Sequence, residues 1–392
     1  MIPRTAEQLT RELLKGFPIV TLTGPRQSGK TTLARHVLAQ RPYYSLEDLD
    51  IRTLAQDDPR GFLAQCGEGA VLDEVQRAPD LLSYLQTHVD GDTRMGRFLL
   101  TGSQQFGLLS GISQSLAGRS GFVELLPLTR TELVVADRAP AGMHEQLFMG
   151  GYPALYDREL TSRHWFAAYV TAYVERDVRQ LLQVQDLDSF QRFVRLCAGR
   201  SGQLLNLSSL ANDCGITHNT AKAWISVLEA SYIVYLLPSH HTSFNKRLVK
   251  SPKLYFHDTG LMCWLLGLQH AEQLATHPLR GAIFETWVIS ELRKQALNQG
   301  LPAQFYFWRD SNGNEVDLII ERADKLQPIE IKSGQTLNRD YFTGLQRWIN
   351  LAGPMATQAS LVYGGAQAVR RNDINVLPWT HLENIDPGLE KL

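Results

Sequence analysis

Gly24-Pro25-Arg26-Gln27-Ser28-Gly29-Lys30-Thr31 has glycines at its first and sixth positions, then a lysine and a hydroxyl residue. These types at this spacing make a phosphate cradle. Side chains at Gly24 and Gly29 would block the approach of phosphate oxygens, so glycine there lets backbone N–H groups point inward. Pro25, Arg26, Gln27 and Ser28 complete the curl of the loop. Lys30 reaches the β- and γ-phosphates, and the Thr31 hydroxyl completes a Mg²⁺ ligand set. Thr32 continues into a helix whose positive N-terminus adds to the cradle. The expected ligands are ATP and Mg²⁺.

Ala70-Val71-Leu72-Asp73-Glu74 is an apolar run ending in two carboxylates. Next to such a cradle, Asp73 is expected to hold Mg²⁺ through water and Glu74 to polarise the attacking water. A solvated acidic pair at a strand end is the alternative. Phe98 to Ser103, FLLTGS, repeats the pattern, with Thr101 or Ser103 placed to sense the γ-phosphate. Arg119 follows Leu116-Ala117-Gly118 and could stabilise transition-state charge in its own subunit or in a neighbour's, which would make an oligomer.

A second set of chemical residues lies near the C-terminus. In Glu315-Val316-Asp317-Leu318-Ile319-Ile320, strand alternation puts Val316, Leu318 and Ile320 on one face and Glu315, Asp317 and Ile319 on the other. Pro328-Ile329-Glu330-Ile331-Lys332 alternates likewise, and a hairpin through Ala323 to Gln327 brings Asp317 beside Glu330 and Lys332. Two carboxylates and a lysine so placed can bind Mg²⁺ and orient water for phosphodiester cleavage. A helix from Ala282 to Lys294 adds Glu285 and Glu291 as metal candidates. Glu291 shares the apolar face of Phe284, Trp287 and Val288, where a carboxylate needs a partner. A salt-bridged hairpin would account for the same spacing.

These residues require particular elements to hold them. Ala6 to Lys15 reads as a helix and Ile19 to Thr23 as a buried strand. The later apolar runs alternate with helical stretches, which predicts a parallel sheet with crossover helices. Beyond Leu125-Leu126-Pro127 the pattern turns helical, including 163–182. From Leu207 to Leu237 the order is helix, tight turn, helix and apolar strand, the spacing of a winged helix. Its exposed His218, Asn219 and Lys222 would face a DNA groove, although such modules also dock proteins. The following basic stretch, with Lys246, Arg247, Lys250 and Lys253, could contact phosphates.

The chain has 392 residues, 44% of them hydrophobic, enough for two or three packed domains. A net charge of −1 means that any nucleic-acid surface must be local. Cys66, Cys197, Cys214 and Cys263 are too scattered for a zinc or redox pair and are expected to be buried and reduced. The charged N-terminus lacks a signal-peptide core and no apolar run reaches ~18 residues, so a cytoplasmic protein without membrane contact is expected.

Together the segments TGPRQSGKTTL, VLDEVQ, FLLTGS, LAGRSGFVELLPLTRTEL, GGYPAL, NKRLVKSPKLYFHDTGL, GAIFETWVISEL, FWRDSNGNEVDLI and IEIKSG resemble a family of bacterial and archaeal AAA-type ATPases. That family joins an N-terminal P-loop domain to a winged helix and a restriction-endonuclease-like domain. The resemblance implies nucleotide binding at Gly29, Lys30 and Thr31, and Mg²⁺ and water handling at Asp73 and Glu74. It also implies a nuclease-like signature at Asp317, Glu330 and Lys332, with Glu285 ahead of Glu291 as the helix member. The expected architecture is α/β, with a P-loop parallel sheet covered by helices on both faces over 1–130 and a helical connector over 131–185. A winged helix over 186–245 and a small α/β nuclease-like domain over 246–392 complete it. DNA and a protein partner are the alternatives for what the C-terminal part engages.

Overall fold

The computed structural model describes residues 1–103, 116–174, 186–240 and 250–385. The chain forms two compact units. One comprises Met1–Leu128 with Ala230–Tyr232 and Leu297–Gly300, and the other comprises the remainder.

The first unit contains α1 (Ala6–Gly16), β1 (Ile19–Thr23), α2 (Lys30–Val37), β2 (Tyr43–Ser45), α3 (Leu49–Asp57), α4 (Pro59–Gln65), β3 (Ala70–Asp73), α5 (Leu81–Asp90), β4 (Phe98–Thr101) and β5 (Ser120–Glu124). Its strands are all parallel, in the order β2-β3-β4-β1-β5. Period-2 alternation divides their side chains between two cores. Ile19, Ala70, Leu72, Phe98 and Leu100 enter one core with Phe62 and Leu85, while Val20, Leu22, Val71, Leu99 and Val123 enter the other with Leu33 and Val37. Burial on both faces explains why these strands read as unbroken apolar runs. This is the expected P-loop parallel sheet.

The second unit begins with α6 (Arg130–Val135), α7 (Met143–Met149), α8 (Ala154–Asp157) and α9 (Ser162–Tyr169), which continues as a π-helical turn over Val170–Val174. The rest of the helix expected over 163–182 extends outside the described residues. Next come α10 (Leu187–Gly199), α11 (Leu207–Cys214) and α12 (His218–Ala230), then the antiparallel pair β6 (Val234–Leu237) and β7 (Lys253–Phe256). Lys246 and Arg247 lie outside the described residues, and Lys250 is exposed. Lys253 is only 2% exposed, so it does not belong to the basic surface expected of it.

After α13 (Thr259–Leu265) and α14 (Arg280–Asn298) come β8 (Phe305–Arg309), β9 (Glu315–Arg322), β10 (Lys325–Lys332), α15 (Asp340–Ala352), β11 (Ser360–Tyr363), β12 (Val369–Arg371) and β13 (Ile374–Pro378). They form a mixed sheet in the order β12-β13-β11-β10-β9-β8. The crossover α15 makes the parallel β10–β11 pairing reachable. Phe342, Leu345, Trp348 and Ala352 give α15 one buried stripe, which packs with Val316, Ile319, Leu326 and Leu361.

That core corrects the strict alternation expected of β9. Tyr306 pairs with Ile319 but Trp308 pairs with Val316, so β9 carries one more residue than β8 between those rungs. The β-bulge brings Val316 and Ile319 into one core cluster, and such bulges commonly re-aim a side chain. The β9–β10 turn also tightens to Ala323 and Asp324, with Ala323 at φ 50°.

Among the described residues no helix is long and apolar enough to cross a membrane. The four cysteines are buried and free, as their spacing predicts.

Candidate functional site

β1 delivers the chain to Gly24 at φ 141°, where a Cβ would stand 2.2 Å from the Leu125 carbonyl oxygen. Only glycine fits that approach. Gln27 at φ 60° and Gly29 at φ 95° keep the backbone left-handed through the loop, the curl that turns successive N–H groups toward one concavity. Lys30 opens α2 and is buried, donating from Nζ to the carbonyl oxygens of Gly24 at 3.1 Å and Pro25 at 2.7 Å. Burial pulls its pKa down to about 8, against the attraction of Glu74 and Asp73.

β3 lies two strands from β1, with β4 between them. Thr31 Oγ1 donates to Asp73 Oδ1 at 2.9 Å, so the hydroxyl and carboxylate read as Mg²⁺ ligands already touch. Both are hard oxygen donors and suit that ion. The Thr101 hydroxyl donates to the same Asp73 oxygen and accepts from the Glu74 N–H at 3.3 Å. Ser103 Oγ donates to Glu74 Oε2 at 3.3 Å. Both sensor candidates therefore contact the acidic pair, Thr101 at Asp73 and Ser103 at Glu74.

Three features had no legible signal in the sequence. Tyr43 donates its hydroxyl to Asp73 Oδ2 at 2.8 Å, and Gln76 donates its amide to Glu74 Oε2. Glu74 itself adopts φ 57°, ψ 47°, a left-handed conformation that costs a non-glycine residue of order 1 kcal/mol or more and clusters at functional sites. Arg4 is buried ahead of α1 and donates to the Ser28 carbonyl at 2.6 Å and the Leu126 carbonyl at 2.7 Å, bracing the loop against the end of β5. Arg4→Ala is expected to weaken ATP binding about tenfold, equivalent to one charged hydrogen bond of ~1.5 kcal/mol. A nucleotide titration checks this, and an unchanged affinity would remove Arg4 from the site.

Arg119 is not beside its own P-loop. It precedes β5, and Ile19 donates its N–H to the Arg119 carbonyl at 3.2 Å, at the start of the strand whose far end leads into Gly24. Roughly 15 Å of parallel strand separates the two edges. Its guanidinium is ion-paired with Asp90, and this rules out a role in the site of its own chain.

The second unit gathers another charged cluster. The hairpin register, with Ile329 opposite Leu318, carries Glu330 next to Asp317. Lys332 Nζ lies 3.3 Å from Asp317 Oδ2 and 2.5 Å from Glu330 Oε1, and the Ile331 N–H donates to Asp317 at 2.8 Å. Glu285 on α14 accepts from Lys253 Nζ at 3.1 Å and from the Tyr255 hydroxyl. Burial pushes the Glu330 carboxyl above its ordinary range, as does Asp317, while Lys332 opposes the shift. Glu285 is likewise raised by burial and by Asp317, against the pull of Lys253.

Asp317, Glu330, Glu285 and Lys332 thus come together, but not as an open metal site. Among the described residues no three His, Cys, Asp or Glu side chains stand arranged to hold one ion. The oxygens that would converge on a metal are taken by Lys253 and Lys332.

Glu291, the other helix candidate, faces elsewhere. It accepts from Lys294 Nζ at 2.8 Å and from the Arg130 N–H at 2.7 Å at the start of α6. Its apolar surroundings are satisfied by this buried pair rather than by a metal. Glu291→Ala is expected to destabilise the fold by about 3–5 kcal/mol, because Lys294 loses its buried counter-charge. Urea denaturation measures this, and a loss under ~1 kcal/mol would contradict the structural role.

Comparison with known proteins gives three domain matches along the chain. An AAA domain covers residues 16–134, a domain of unknown function (DUF8612) covers 141–272, and another (DUF4143) covers 280–382. The uncharacterized proteins Rv2008c of Mycobacterium tuberculosis and Mb2031c of Mycobacterium bovis are each 33% identical over 338 residues, which is 85% of this chain and 74% of theirs. Among solved structures, the Walker-type ATPase paby2304 of Pyrococcus abyssi is similar over 68% of this chain and 96% of its own, with a TM-score of 0.48 and 15% identity. RuvB of Thermotoga maritima is similar over 59% and 87%, with a TM-score of 0.31 and 20% identity.

Proposed function

We infer that the chain, which belongs to the family of these two mycobacterial proteins and carries an AAA domain at its N-terminus, is a Mg²⁺-dependent ATP hydrolase that controls its C-terminal domains on DNA. The observation that carries the reading is the convergence of Lys30, Thr31, Asp73, Glu74, Thr101 and Ser103 at one edge of a parallel sheet. The loop N–H groups and Lys30 bind the phosphates, Thr31 and Asp73 hold Mg²⁺, and Glu74 takes the proton of the attacking water. The bound ion supplies charge neutralisation between the phosphates.

In the second unit, α10 to α12 with β6 and β7 would serve as a winged helix. His218, Asn219 and Lys222 are exposed on α12, where a nucleic-acid backbone or groove could be met. The sheet β8 to β13 would be the restriction-endonuclease-like domain, with Asp317, Glu330, Lys332 and Glu285 at its cluster. One observation favours a second reading, in which that domain binds its partner without cleaving: the buried Lys253 already neutralises Glu285 and Glu315.

The test is ATP turnover by the wild type and Lys30→Ala with Mg²⁺, with and without mixed DNA. Turnover that requires Lys30 and rises with DNA is the expected result. Lys30-dependent turnover indifferent to DNA would shift the reading to a protein partner, and no Lys30-dependent turnover would sink the hydrolase. Measuring the rate against protein concentration tests whether neighbouring copies complete the site.

A further inference from the structure

Lys253, at the start of β7, is 2% exposed, yet its ammonium is surrounded by acids. Nζ lies 3.1 Å from Glu285 Oε1 and 2.5 Å from Glu315 Oε1, and it stands 5.5 Å from the centre of the Phe307 ring. Burial acts against its charge, but Glu285, Asp317 and Glu315 overrule it and hold its pKa above the ordinary lysine value. Lys332 serves Asp317 and Glu330 in the same way.

Two ammonium groups therefore face four carboxylates. One acidic oxygen stays unused: the buried Oε2 of Glu330 has no hydrogen-bond partner among the described residues, and Glu330 is 8% exposed. The cluster has both the surplus negative charge and the spare oxygen that attract a divalent ion. It lacks open oxygens at Glu285 and Glu315, because an ammonium and a divalent cation compete for the same lone pairs. The ion needs those oxygens directly, at ~2.0–2.4 Å.

We propose that Lys253 is the resident cation of this cluster, holding the Glu285 and Glu315 oxygens that a divalent ion would take, so that a metal loads only when Lys253 is removed or drawn away. The proposal rests on the nuclease-like reading of the cluster given above. A site plugged by its own lysine would be silent as the chain stands and would open if β7 were displaced.

The experiment uses the full chain carrying Asp73→Asn, which silences the ion expected at the P-loop, with Mn²⁺ titrated by isothermal calorimetry in the absence of nucleotide. Adding Lys253→Met is expected to give one Mn²⁺ per chain bound at least tenfold more tightly than in the parent. Further addition of Glu330→Gln is expected to abolish that gain. Equal affinity in parent and Lys253→Met would overturn the proposal while leaving the cluster a metal site. A gain that survives Glu330→Gln would also overturn it, since the ion then binds elsewhere. No Mn²⁺ bound by either chain would overturn the nuclease-like reading and the proposal with it. Should Lys253→Met not fold, Lys253→Gln, whose amide can still donate to Glu285, takes its place in the same comparison.

Discussion

Lys30→Ala is expected to lower ATP turnover by roughly 10²–10³-fold, the loss seen when one preorganised donor to developing charge is removed. Two observations make the effect large. The ammonium is buried where the loop closes, and in the absence of nucleotide it donates to carbonyl oxygens of Gly24 and Pro25 rather than to water. A phosphate chain replaces two neutral acceptors with a strong anionic one.

The lowered pKa of Lys30 adds a pH signature. With a folded value near 8, part of the population is neutral at pH 8 before nucleotide arrives, and binding to phosphate restores the charge. ATP binding at pH 8 is therefore expected to take up about half a proton, and affinity to fall as pH rises above that point. Calorimetry in buffers of different ionisation enthalpy reads the uptake, which Lys30→Ala should remove. The sign for folding is opposite. Between about 8 and 10.5 the unfolded chain holds more protons at this lysine, so its contribution to stability increases with pH across that window.

Glu74→Gln is expected to lower turnover by roughly 10²–10⁴-fold, the range for loss of a general base, with ATP affinity changed by no more than about threefold. The isosteric amide can keep contacts to Ser103 and Gln76, which hold the side chain at its Oε2. It cannot accept a proton from water. Single-turnover hydrolysis alongside a nucleotide-binding titration separates the two effects. Unchanged turnover would remove Glu74 from the chemistry, and lost binding would show that its role is to shape the site. The left-handed backbone at Glu74 matters here: it re-aims the side chain directly after the strand ends at Asp73.

Much of the first unit was legible in one dimension because its constraints are local. GPRQSGKT requires a tight turn and a helix N-terminus within eight residues, and VLDE and FLLTGS are apolar runs that end where their strands end. Burial on both sheet faces made those runs continuous, so strand identity and the polar residues at each strand's end could be read together. The same locality brought Asp317, Glu330 and Lys332 together, since a hairpin of two short strands has few registers that bury its apolar side chains.

Tertiary structure alone decided the residues whose partners are distant in the chain. Arg4 reaches Ser28 and Leu126, and Tyr43 reaches Asp73, with no pattern in the intervening sequence to announce either contact. Arg119 looked available for catalysis until the parallel order of the strands placed it at the opposite edge from its own P-loop. Glu291 and Glu285 lie on the same helix, and only packing sends one to Lys294 and Arg130 and the other to Lys253 and Tyr255. Lys253 was read from its neighbours as a solvent-facing base, but β7 pairs with β6 and buries it among carboxylates. Charge in a sequence states what a residue carries; which opposite charge it meets depends on the fold, because Coulomb attraction acts through space and is strongest where packing has removed water.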